Sequence, residues 1–187
     1  RASNEPLNFR TFGVRASSLN VEERSIEALV ATESPVPMFD FERWETIPEV
    51  LRTDGAIFPS SGQVPLLNNH NRREVADQLG SVRGLSKSGD GIPGRLHFSA
   101  TAQNEFTQVR EGHMTDVSAG YQVLEKTFVP DGKRMAVGGR EYTGPVNVVT
   151  KWKLREVSLT PIGADEQAKL RGLDLDKPQI GRASCRE

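Results

Sequence analysis

Few residues in this chain can carry proton transfer or nucleophilic attack. The histidines are His70, His97 and His113. The single cysteine, Cys185, lies in a polar stretch where nothing lowers its thiol pKa, so it reads as inert and has no partner for an internal disulfide. Ser118 lies in GHMTDVSAGYQVLE (112–125), a strand-like run that follows a small hydroxyl with Ala119 and Gly120. Two readings compete there: a polar outward position beside a bulge, or a nucleophile with room for an extended substrate backbone. Alternation groups Val117, Ala119, Tyr121 and Val123 on one face and Asp116, Ser118, Gly120 and Gln122 on the other. Ser118 is therefore expected to point away from the core.

His70 closes VPLLNNH (64–70), an apolar run that delivers a polar side chain at its end. His97 alternates with Leu96 and Phe98 and reads as an outward strand position. His113 follows Gly112 and reads as a cation at a helix end. In KWKLREVSLT (151–160), alternation groups Glu156 with Trp152, Leu154, Ser158 and Thr160. A cross-strand ion pair is the plain reading of Glu156. A hydroxyl, an imidazole and a carboxylate are the parts of an acyl-transfer site, in which they attack, move the proton and orient the base. Spacing alone does not bring the three together.

The elements that would position them are mostly short strands. Residues 21–33 lean toward strand, with Pro35 and Pro37 following. In MFDFERWETIPEVL, Phe39, Phe41 and Trp44 suit a flap or turn, and Pro48 opens a short helix candidate, PEVLR. LGSVRGLS, the turn signal SGDG and IPGRLHFSA predict a hairpin over 79–99. Ala102, Phe106 and Val109 recur at helical spacing, with Thr101 as cap and Gly112 as terminator. A strand through Ser118, a polar hairpin and the strand run VNVVTKWKLREVSLTPI follow, then a polar helix candidate over 164–171. Short strands with Gly turns and few helices predict a mainly β, α+β domain, as an antiparallel barrel or sandwich with helices outside.

Composition narrows the function classes. A chain of 187 residues with 36% hydrophobic residues suits one domain with a modest core. The formal net charge of -1 and the lack of a basic run give no electrostatic grip on nucleic acid or anionic lipid. No apolar run approaches the roughly 18–20 residues of a membrane span. No spacing such as H-x-x-x-H suggests a metal, and phosphate-loop and dinucleotide signatures are missing. Asp116 stands where the first Gly of a G-x-S-x-G elbow would be. No cofactor or metal is expected. Because the chain starts at Arg1 rather than Met, a fragment or processed product is expected.

Three segments, taken in order, resemble the HK97-type prohead (capsid maturation) serine proteases of tailed phages. VPLLNNH (64–70) is similar to that family's apolar strand ending in histidine. FSATAQNEFTQVREGHMTDVSAGY (98–121) is similar to its strand, helix, Gly and Ser-x-Gly-aromatic strand. LREVSLTPIGADEQA (154–168) resembles its ending, and TESPVPMF (32–39) resembles the amino-terminal part of one subgroup. The similarity covers roughly residues 20–170. It implies a small closed antiparallel-type β-barrel of about seven strands with surrounding helices, like that of the herpesvirus assembly proteases. It also implies a serine endopeptidase that cuts scaffold segments, capsid-protein segments and itself inside the assembling procapsid, in the bacterial host cytoplasm. Carried over by position, the family's histidine falls on His70, its serine on Ser118 and the third member on Glu156. The herpesvirus proteases use a second histidine as the third member, and no histidine follows His113 here. The resemblance further implies self-association, as a homodimer or higher oligomer. The implied organisation is an N-terminal extension (1–20), a protease domain (21–171) and a polar tail or linker (172–187).

Overall fold

The computed structural model describes residues 18–89, 91–165 and 167–171. The expected tail with Cys185, and all but the last residues of the expected N-terminal extension, lie outside the described residues. Strands dominate: β1 (Ser25–Ala31), β2 (Val36–Asp40), β3 (Glu45–Leu51), β4 (Ala56–Ile57), β5 (Gln63–Asn68), β6 (Gln78–Arg83) and β7 (Ile92–Phe98). After α1 (Gln103–Arg110) come β8 (Asp116–Val129), β9 (Arg134–Val137), β10 (Arg140–Thr143) and β11 (Val146–Thr160). The hairpin expected over 79–99 is β6–β7, in which His97 sits half-buried between buried Leu96 and Phe98. The helix ends at Gly112, whose φ of +80° only glycine adopts freely. Its N-cap is Ala102, while Thr101 bonds Ser99 instead of capping.

Two expected helices are absent among the described residues. PEVLR falls in β3 and just past its end, because β3 is paired on both sides, by β2 and β11, and buries Ile47 and Val50. In the described part of 164–171, Lys169 and Leu170 form bridges to Asp116 and Ala28. Ala168 and Leu170 are buried between those neighbours, and an extended backbone satisfies its polar groups there as a helix would not. Among the described residues α1 is the only α-helix, accompanied by two single-turn 3-10 segments.

The sheet runs β1-β7-β6-β5-β11-β3-β2, with β4 and β8 also paired to β11. It is mixed rather than purely antiparallel. The 15-residue β11 runs antiparallel to β8 on one side and parallel to β3, β4 and β5 in turn on the other. The long chain path between β5 and β11 permits this, since parallel pairing requires a crossover and not a hairpin. Strand order is an open path from β1 to β2. Residues 168–171 nevertheless bond both to β1 (Leu29 N–H to Lys169 O, 2.9 Å; Arg171 N–H to Glu27 O, 2.7 Å) and to the start of β8 (Leu170 N–H to Thr115 O, 2.9 Å; Val117 N–H to Ala168 O, 3.2 Å).

The main core is built from these strands and α1. Ile26, Leu66, Val82, Leu96, Val117, Trp152, Leu154, Val157 and Leu159 are nearly or wholly buried there, and α1 adds Phe106 and Val109. At the far edge, the β2–β3 hairpin presents Phe39, Phe41 and Trp44 in mutual edge-on contact. Phe41 and Trp44 remain 78% and 75% exposed, so the expected aromatic turn exists but anchors nothing within the described residues.

Candidate active site

β8 and β11 align residue against residue, so Ser118 lies opposite Ser158 and Gly120 opposite Glu156. Opposed residues share a face, which places all four together on the side away from the core. Plain alternation grouped Glu156 with Trp152 and Leu154; the structure differs. A register shift between Leu154 and Glu156 breaks the period of two, so Trp152, Leu154, Val157 and Leu159 all enter the core. Glu156 and Ser158 are thereby turned to the other face, the re-aiming that a β-bulge produces. Gly120 also serves differently from the expected clearance for a substrate. A Cβ there would lie 2.0 Å from Glu156 Oε1, so the missing side chain makes room for the carboxylate. Ser118 is on the expected face but only 9% exposed, less open than an outward strand position.

His70 reaches this row from the end of β5, which runs parallel to β11 with Leu67 opposite Ser158. The ladder continues one residue further through Asn69 N–H to Leu159 O (3.0 Å), and then the chain turns back. Asn69 (φ +48°) and His70 (φ +60°) both take the left-handed conformation. That region costs a non-glycine residue roughly 1–2 kcal/mol, although Asn tolerates it better than most. The turn brings the imidazole over Glu156, with Nδ1 at 2.6 Å from Oε1. Ser158 Oγ donates to Glu156 Oε2 (2.9 Å) and accepts the backbone N–H of His70 (2.8 Å).

The electrostatics follow from these contacts. The hydrogen bond to Glu156 raises the His70 pKa above its ordinary value, against the opposing effects of burial and of Arg72. A carboxylate at Nδ1 fixes the proton on that nitrogen and leaves Nε2 with its lone pair on the more open side. Glu156 is 5% exposed, whereas the His70 side chain is 43% exposed. Among the described residues no hydrogen bond joins the imidazole to Ser118.

The other histidines and the acids of β8 are placed elsewhere. The His113 side chain is 72% exposed and its nearest acid is Glu111, at 3.8 Å. Asp116 is occupied by Lys169, Thr115 and the backbone of Gly163, and Glu125 pairs with Lys151. Burial, followed by Arg83 and Arg95, lowers the His97 pKa. A cavity of about 250 Å³ lies under the β2–β3 hairpin and is lined by none of His70, Ser118 or Glu156. Sequence reasoning assigned Ser158 no task. Its signal was the i, i+2 spacing from Glu156, which puts both on one strand face. Among the described residues no cluster of three His, Cys, Asp or Glu can hold a metal, and no helix is long and apolar enough to cross a membrane. No protein-family model matches the chain, and no curated protein is significantly similar to it.

Proposed function

We propose that the protein is a serine endopeptidase with Ser118 as nucleophile, His70 as general base and Glu156 as the orienting carboxylate. The observation that carries this reading is the 2.6 Å contact between His70 Nδ1 and buried Glu156, on the sheet face that holds Ser118. Ser118 Oγ attacks the scissile carbonyl while His70 Nε2 takes its proton. The imidazolium returns that proton to the leaving amine, giving an acyl-enzyme. Water then adds by the same route, releasing the acid and restoring Ser118. Glu156 holds the tautomer and stabilises the cation throughout. Ser118 and His70 share no hydrogen bond in the free protein, as is common before a substrate tightens such a site.

The ordered likeness of residues 32–39, 64–70, 98–121 and 154–168 to phage prohead proteases supports a more specific role. In that role the substrates are scaffold segments, capsid-protein segments and the chain itself, cut within the procapsid in a bacterial cytoplasm by a self-associating enzyme. The same likeness carries the closed barrel. β1, β7, β6, β5, β11, β8 and residues 168–171 make seven segments, each hydrogen-bonded to the next and the last to the first, which supports closure.

A second reading keeps the fold as a non-catalytic scaffold or assembly module. The low exposure of Ser118 and the missing His70–Ser118 bond favour it. The two readings separate when the folded full chain, across a range of concentrations, is given a mixed peptide library and the products are sequenced by mass spectrometry. The protease reading expects discrete cuts, more per molecule at high concentration, that vanish in Ser118→Ala and His70→Ala. Equal cutting by the variants, or no cutting of library or self at any concentration, overturns it.

A further inference from the structure

Ser158 stands in the middle of the site yet cannot be its nucleophile. It is wholly buried, and its hydroxyl is held at both ends, by Glu156 Oε2 and by the His70 backbone N–H. Those two contacts have different consequences. β5 and β11 pair in parallel through Leu66, Leu67 and Asn68, and Asn69 N–H still meets a β11 carbonyl. At His70 the backbone leaves the ladder in a left-handed turn, and its N–H donates to a β11 side-chain oxygen, Ser158 Oγ. The oxygen that accepts this N–H also donates to the carboxylate the imidazole must reach. Backbone N–H, hydroxyl, carboxylate and ring thus form a closed loop that begins and ends on His70.

We infer that Ser158 is the positioning residue of this site: one hydroxyl ties the strand-leaving turn of His70 to Glu156 and so sets where the imidazole stands. The inference rests on the protease reading for its kinetic consequence, but its structural content concerns only the His70–Glu156 pair. Loss of the hydroxyl removes the acceptor that holds a strained turn and, at the same time, one of the two side-chain donors on a buried carboxylate. A merely space-filling Ser158 predicts neither effect on the ring.

The test reads His70 directly, by NMR titration of the imidazoles in the full chain, with exposed His113 as internal control. In the wild type the His70 midpoint is expected above the ordinary value of about 6.5. The groups facing it are Glu156, which raises it, and Arg72, which lowers it. Ser158→Ala is expected to bring the midpoint down toward that ordinary value and to lower kcat about 10- to 100-fold, with KM within about threefold. Ser158→Cys keeps the shape, weakens both bonds and must move the midpoint the same way, which covers the case where the Ala variant does not fold. A His70 midpoint that is unchanged or raised in a folded variant overturns the inference. If the wild type cuts nothing but the midpoint falls as expected, the positioning role stands and the protease reading fails.

Discussion

Two carboxylates, Asp40 and Glu156, are each 5% exposed, and they are held in opposite ways. Asp40 closes the β2–β3 turn and accepts from Asn147 Nδ2 (2.8 Å), Lys126 Nζ (3.1 Å) and the backbone N–H groups of Glu42 (2.8 Å) and Arg43 (3.1 Å). Trp44, in the left-handed region at φ +59°, is pinned by its N–H to the Asp40 carbonyl. The Asn147 amide first, then Lys126 and the backbone donors, hold the Asp40 carboxyl far below the usual range against burial. Glu156 has two side-chain partners: a serine hydroxyl and a half-exposed imidazole that can gain or lose a proton. Burial therefore does not distinguish the two acids. The distinction lies in whether every donor is permanent. Asp40 is saturated by groups that stay protonated at any working pH. Glu156 keeps one partner whose proton comes and goes.

Exchanging each acid for its amide breaks the comparison most sharply. Glu156→Gln should lower the cleavage rate by roughly ten- to ten-thousand-fold, since the amide keeps the shape and loses the charge. Asp40→Asn should leave cleavage within about threefold while lowering the melting temperature, because it puts amide donors against Asn147 and two backbone N–H groups. Single-turnover rates and melting curves of both variants decide this, and equal kinetic losses would erase the contrast.

Gly120→Ala is expected to cost about 10- to 100-fold in rate by pushing the Glu156 carboxylate off His70, since the added Cβ meets Oε1 at 2.0 Å. The His70 imidazole titration in that variant should then move toward the ordinary midpoint.

His70 and Asp40 also answer pH in opposite directions. The folded pKa of His70 is raised, so its pair with Glu156 stabilises the fold fully below about pH 6.5. That contribution fades as pH rises through the raised value. The proposed cleavage, which would need neutral His70, is expected to rise over the same interval. Asp40 has a depressed folded pKa, so its contribution is full above about pH 3.9 and fades as pH falls toward the folded value. Melting temperatures of His70→Gln and Asp40→Asn against wild type, scanned over pH, check both signs. The smallest effect is expected at His113, where Gln should change the rate by less than about threefold, because its side chain is 72% exposed and its nearest acid is Glu111. A larger loss would transfer the orienting role to it.

Much of this was legible in the sequence because it followed simple periods. The β6–β7 hairpin, the helix ending at Gly112, the long strand through Ser118 and the delivery of His70 at a strand end all follow alternation, helical spacing or turn chemistry. What was hidden depended on departures from those periods. The bulge before Glu156 changes which face the acid occupies, and no single residue type announces it. The left-handed pair Asn69–His70 is visible only as an Asn before a His, a weak cue. The parallel pairing of β5 with β11 joins segments about 90 positions apart, which local pattern cannot report. PEVLR was misassigned because tertiary pairing overrides a short helical signal after proline.

The proposed activity requires Ser118 to be an activated nucleophile. The direct measurement is treatment of the folded full chain with a fluorophosphonate probe, followed by mapping of the modified residue by mass spectrometry. The prediction is a single adduct on Ser118, formed faster as pH rises through the His70 titration and lost in His70→Ala. Buried Ser158 should stay unmodified. A folded protein refractory to the probe at all concentrations, or an adduct on another serine, would contradict the assignment.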